Sequence, residues 1–142
     1  MKAATGLKRF IDAQHRDYAA ALAEIRRGRK VTHWMWYIFP QLRGLGSGET
    51  SKYYAIKDVL EAEEFLKHPV LGTGLINICR ALLDQQSNDA NKIFGSPDDL
   101  KLRSSMTLFA SLPDTHPVFQ QVLDRFFGAE KDPLTLQIMK GQ

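Results

Sequence analysis

Large apolar residues recur at three- and four-residue steps along most of this chain. Leu7, Phe10, Ile11, Tyr18, Leu22 and Ile25 keep that spacing, which puts them on one helical stripe facing a core. Thr5 stands where it can cap this helix, and Gly28 where a left-handed residue can end it. Arg26 and Arg27 suit the negative end of its dipole. The spacing returns in Val59, Ala62, Phe65 and Leu66, behind a capping box of Asp58 and Glu61. His68-Pro69 breaks that helix and starts another, which carries Leu71, Leu75, Ile78, Cys79, Leu82 and Leu83. After the polar connector 84–91, a short helical turn closes at Gly95. Ser96-Pro97-Asp98-Asp99 then offers a serine cap, a proline at the first position and two acids near the positive dipole end. That helix bears Leu102, Met106, Phe109 and Leu112 and stops before Pro113. His116-Pro117 and Asp132-Pro133 open two more. About six helices joined by short Pro- and Gly-marked turns predict an all-α fold, a compact orthogonal bundle forming a single domain over 1–142.

One stretch departs from this rhythm. In His33-Trp34-Met35-Trp36-Tyr37-Ile38-Phe39-Pro40-Gln41-Leu42-Arg43-Gly44-Leu45-Gly46, six consecutive large apolar or aromatic residues run into a proline, an arginine and a glycine-rich turn. It is too short and too little alternating for a half-buried strand, so it reads as a buried helical turn or extended segment ending at Pro40. So much aromatic surface must anchor the core, which holds the neighbouring polar residues against a rigid wall. Residues 44–50 read as a flexible loop.

Composition narrows the function classes. Nineteen basic residues face sixteen acidic ones among 142, a net charge of only +3, although the isoelectric point is about 9.1. The balance gives no bulk signature of nucleic-acid binding, so nucleic acid is not the expected partner. The basic cluster Arg26, Arg27, Arg29 and Lys30 reads first as a solvated helix end. A lone cysteine allows no internal disulfide. With no apolar stretch after Lys2 and no membrane-length apolar run, a cytoplasmic protein without a membrane partner is expected.

Most chemical motifs fail when tested. Gly46 to Tyr53 is spaced like the phosphate-cradling loop of nucleotide hydrolases, but Ser51 stands where glycine is needed and Tyr53 where a small hydroxyl must reach the metal. A looser anion site survives, with amides at Gly44, Gly46 and Gly48 and charge from Arg43 and Lys52. A solvated turn is the commoner reading of such a cluster. The four histidines lack metal-ligand spacing, and no metal or cofactor is expected. His68 and His116 read as capping residues before prolines, Cys79 as a small core residue. Adjacent Ser104 and Ser105 inside a helix ask for a reason, either close helix packing or hydroxyls facing a ligand.

Together the aromatic phrase, His68-Pro69-Val70-Leu71-Gly72, Ile93-Phe94-Gly95 with Asp98-Asp99-Leu100-Lys101, and Ser104-Ser105-Met106-Thr107-Leu108-Phe109 resemble the bacterial domain-of-unknown-function family numbered 1810. The resemblance runs from about Leu7 to Leu136. It implies a small cytoplasmic all-α protein and no defined activity. Some members carry the inherited label calpastatin, which this apolar-rich, repeat-free chain does not support. A weaker resemblance, to proteins that process ADP-ribose adducts, rests on the small all-α style and a glycine–acid pattern followed by Ser-Met.

The resulting expectation is a pocket for an anionic, phosphorylated or nucleotide-like small molecule of the ADP-ribose or NAD type, with hydrolysis as an open possibility. Its candidate ligand-binding residues are Trp36, Gln41, Arg43, Gly44, Gly46, Asp98, Asp99 and Lys101. Its candidate catalytic residues are His33, as acid or base, and Ser104 and Ser105, to orient the ligand. The alternative is a protein-interaction module or homodimer without chemistry, using Leu134, Leu136, Ile138 and Met139.

Overall fold

The computed structural model describes residues 6–142; among them the regular elements are all helices, with no strand. Nine helices follow in order: α1 (Lys8–Arg26), α2 (Met35–Ile38), α3 (Glu49–Tyr54), α4 (Val59–Lys67), α5 (Leu71–Leu83), α6 (Ala90–Phe94), α7 (Asp98–Ala110), α8 (Val118–Phe127) and α9 (Pro133–Lys140). The expected cap at Thr5 lies outside the described residues.

Two helices form the centre of the packing. α5 lies against α1, α4 and α8, while α7 lies against α6, α8 and α9. The apolar stripes meet there: Phe10, Ile25, Phe65, Leu75, Ile78, Phe109 and Phe119 are each 1% exposed or less. Phe65, Phe109 and Phe119 form a ladder with centroids 5.6 Å apart at each step, a spacing suited to tilted aromatic pairs. Cys79 is buried in this core with Sγ 3.6 Å from Met106 Sδ, and burial pushes its thiol pKa up. It is a packing residue rather than a nucleophile.

The local signals act as expected in most places, with instructive departures. The Asp58 side chain accepts from Glu61 N, but the Glu61 carboxylate turns to Lys57 N and Arg9, so only half of a capping box forms. His68 Nδ1 accepts from Val70 N and Leu71 N, and His116 Nδ1 from Val118 N, so both histidines cap as their position before proline predicts. Asp132 caps α9 by accepting from Thr135 N. Ser96 does not cap α7: the residue before that helix is Pro97, which makes no side-chain cap bond. Residues 44–50 are not loop throughout, because α3 begins at Glu49.

A carboxylate on the buried stripe of α1 sets the aromatic run. Glu24 Oε1 accepts from Val31 N (2.7 Å), Thr32 N (3.0 Å) and Trp34 Nε1 (2.9 Å), and Oε2 from Thr32 Oγ1 (2.5 Å). Burial opposes the charge, but these four bonds outweigh it and hold the carboxyl at a pKa of about 2. The clasp ties the chain after α1 to Trp34, which is buried against Phe39 and Phe94. α2 then lasts four residues, because Pro40 forces Phe39 out of the helical region.

Candidate functional site

The segment after Pro40 folds back on itself. Arg43 N donates to Ile56 O and Ile56 N to Gln41 O, each at 2.8 Å, and a single parallel bridge pairs Leu42 with Ile56. Between these ends lie the glycine turn and α3. Gly44 has φ +104°, a conformation that a side chain would strain. A Cβ on Gly46 would stand 2.7 Å from Ser51 Cβ and 3.3 Å from the Trp36 ring, so only glycine lets the turn approach α3 and the aromatic wall this closely.

Three hollows open around this segment. The first, about 380 Å³, lies between Trp36, the turn from Gln41 to Gly46, and Ser51, Lys52, Tyr54 and Ala55 of the returning chain. The second, about 480 Å³, lies behind Trp36 and Tyr54, which line both; its other borders include Arg16, Lys30, His33, Asp98 and Lys101. The third, about 430 Å³, adjoins the first and shares Arg43, Lys52 and Ala55 with it.

The predicted site residues therefore divide. Trp36, Gln41, Arg43, Gly44 and Gly46 converge on the first hollow. His33, Asp98 and Lys101 border the second with Trp36. Asp99 lines neither: its carboxylate accepts from Leu100 N (2.9 Å) and Asn91 Nδ2 (3.3 Å). Ser104 and Ser105 line none of the three. Ser104 Oγ donates to Asp132 Oδ2 (3.0 Å) and Leu100 O (3.2 Å), and Ser105 is fully buried with its hydroxyl unpartnered. The expectation of one cavity joining His33, Arg43 and these serines is thus corrected: helix packing explains the serine pair, and no serine faces His33.

Polar saturation differs between the first two hollows. In the second, Asp98 lies 2.9 Å from both Lys30 Nζ and Lys101 Nζ. Burial raises its pKa, the two ammonium groups lower it more, and the net shift is downward. Lys30 and Lys101 also sit over the Trp34 and Trp36 rings, at 5.0 and 4.2 Å. Lys30 is thereby part of the fold, not of a solvated basic patch; Arg26, Arg27 and Arg29 stay exposed. In the first hollow, Gln41 is 6% exposed and its Nε2 has no hydrogen-bond partner. A buried amide in that condition is costly unless something completes it. Arg43 and Lys52 stand exposed at the same hollow and form no ion pair with a described residue.

Sequence reasoning missed three participants. Glu24 had a signal, since a carboxylate between Ala21 and Ile25 occupies a core-facing position and must find donors. Tyr54 and the node at Asp132 had none, because their partners are remote in sequence. Among the described residues, no group of three or more His, Cys, Asp or Glu side chains gathers to hold a metal ion, and no helix is long and apolar enough to cross a membrane. Of the apolar residues in α9, Leu134 and Leu136 are exposed, while Ile138 and Met139 pack against the core.

An all-α core carrying one clamped glycine loop against a tryptophan wall defines a class of small helical proteins to which no activity is attached. The chain belongs to the family described as protein of unknown function (DUF1810), whose model matches residues 4–139. It is similar to the crystal structure of the conserved hypothetical protein Rv1873 from Mycobacterium tuberculosis, with 42% identity and a TM-score of 0.93 over 95% of this chain and 96% of that one. No curated protein matches it.

Proposed function

We propose that the first hollow binds a phosphorylated, nucleotide-like small molecule. Its flat ring rests on Trp36 and Tyr54, and Arg43 with Lys52 holds the anion. The observation that carries this reading is the lining of the hollow: aromatic surface from Trp36 and Tyr54 beside Arg43 and Lys52, two exposed cations that form no ion pair with a described residue. Lys101 contributes from behind, as a cation on the far face of Trp36. No carboxylate or histidine lines the first hollow, so the reading stops at binding and assigns no hydrolysis.

The test is a thermal-shift and tryptophan-fluorescence titration with AMP, ADP-ribose, NAD and sugar phosphates. A ligand present at a hundred times its dissociation constant stabilises the fold by about 2.7 kcal/mol. Binding should quench Trp36, and Arg43→Ala should abolish both signals without changing the unliganded melting temperature. Absence of any shift with the whole set overturns the reading.

A further inference from the structure

The third hollow is lined by a single acid, Glu61, and that acid is spent. Its carboxylate accepts from Arg9 Nη2 (3.0 Å), Arg9 Nη1 (3.3 Å) and Lys57 N (2.8 Å). The side chains of Arg9 and Glu61 are each 9% exposed. Arg9 further donates to Tyr53 O (2.8 Å), Ala55 O (2.7 Å) and Gly6 O. The pair is an internal, neutral strap that fixes the floor of this hollow and the end of α3.

What remains is uncompensated positive charge. Arg43, Lys52 and Lys57 are exposed, border the third hollow and form no ion pair with any described residue. Arg43 and Lys52 also border the first hollow, whereas Lys57 borders the third and not the first. The second hollow differs, because Asp98 already occupies both of its lysines. A polyanion leaving the Trp36 wall through the shared edge meets three cations in the third hollow, whose one lining carboxylate is already taken by Arg9 and Lys57 N. A lone phosphate at the shared edge leaves the Lys57 charge in the same hollow unanswered.

We propose that the first and third hollows form one bipartite site for a ring-bearing diphosphate, with the first phosphate at Arg43 and Lys52 and the second at Lys57. This rests on the nucleotide reading above and adds the length of the phosphate chain. The site discriminates a nucleoside diphosphate from a monophosphate, and Lys57 is the residue that does so.

Isothermal titration with AMP and ADP as probes, in the absence of divalent cations, tests this. The intact protein should bind ADP roughly fivefold or more tightly than AMP. Lys57→Ala should erase that preference while leaving AMP affinity unchanged. Arg27→Ala, which removes an exposed cation outside the hollows, should leave both affinities and their ratio intact. Equal affinity for the two probes in the intact protein overturns the bipartite site while sparing the nucleotide reading. So does a Lys57→Ala loss shared equally by AMP and ADP, or an Arg27→Ala loss as large as that of Lys57→Ala. If neither probe binds, the bipartite site falls, and the nucleotide reading falls with it when ADP-ribose, NAD and the sugar phosphates also fail to bind.

Discussion

The node at Asp132 and the hollow at Trp36 are both built from buried polar side chains beside apolar walls, yet they end in opposite states. At the node the hydroxyls and backbone N–H groups around one carboxylate are satisfied, although the buried Arg103 Nε beside it has no partner. Asp132 Oδ2 takes Ser104 Oγ, Thr135 Oγ1 and Thr135 N, while Asp132 N donates to Thr107 Oγ1. Burial raises the Asp132 pKa, but the bonds from Thr135 and Ser104, with the Arg103 charge, lower it more. At the hollow, Gln41 keeps an unpartnered nitrogen, and Arg43 and Lys52 form no ion pair with a described residue. Completed polar groups belong to the fold; an incomplete one marks a place for a second molecule only where a hollow adjoins it, as at Arg43 and Lys52 and not at the sealed Ser105 hydroxyl.

The comparison can be broken by substitution. The largest effect is expected at the other completed carboxylate. Glu24→Ala strands three N–H donors and should cost on the order of 3 kcal/mol in urea unfolding. The folded-state pKa of Glu24 lies near 2, below its ordinary 4.5. Its contribution is therefore full above about pH 4.5 and lost as pH falls toward 2, so the intact protein should lose more stability across that window than Glu24→Gln. At the node, Asp132→Ala should cost about 2 kcal/mol and Ser104→Ala about 1 kcal/mol, with hydrogen exchange rising first in α9. Neither should alter nucleotide affinity if the node is purely structural. Smallest in stability is Gln41→Leu, expected to be neutral or stabilising by up to about 1 kcal/mol, because it deletes an unmet amide. A Gln41→Leu penalty as large as that of Ser104→Ala would erase the distinction.

Periodicity made the long helices legible, since Phe10, Phe65, Ile78, Phe109 and Phe119 bury where their spacing puts them. Capping by His68, His116 and Asp132 was equally local and equally readable. The aromatic run and its glycine turn also marked the hollow, because Trp36, Gln41, Arg43, Gly44 and Gly46 are contiguous and the chain needs only a short bend to gather them. The grouping of His33 with Ser104 and Ser105 failed for the complementary reason. It required knowing how α7 turns about its own axis, and that is decided by Asp132, 28 residues beyond Ser104. α3 escaped notice because glycine and serine around it mask a helix held by tertiary contact rather than propensity.

The bridge between Leu42 and Ile56 has a consequence for how this protein can change. Every lining residue of the first hollow except Trp36 lies between Gln41 and Ala55. A short excursion pinned at its two ends can exchange its contents with little disturbance to the helices beneath. Grafting this cassette between homologues should move ligand preference with it while the melting behaviour of the host stays put.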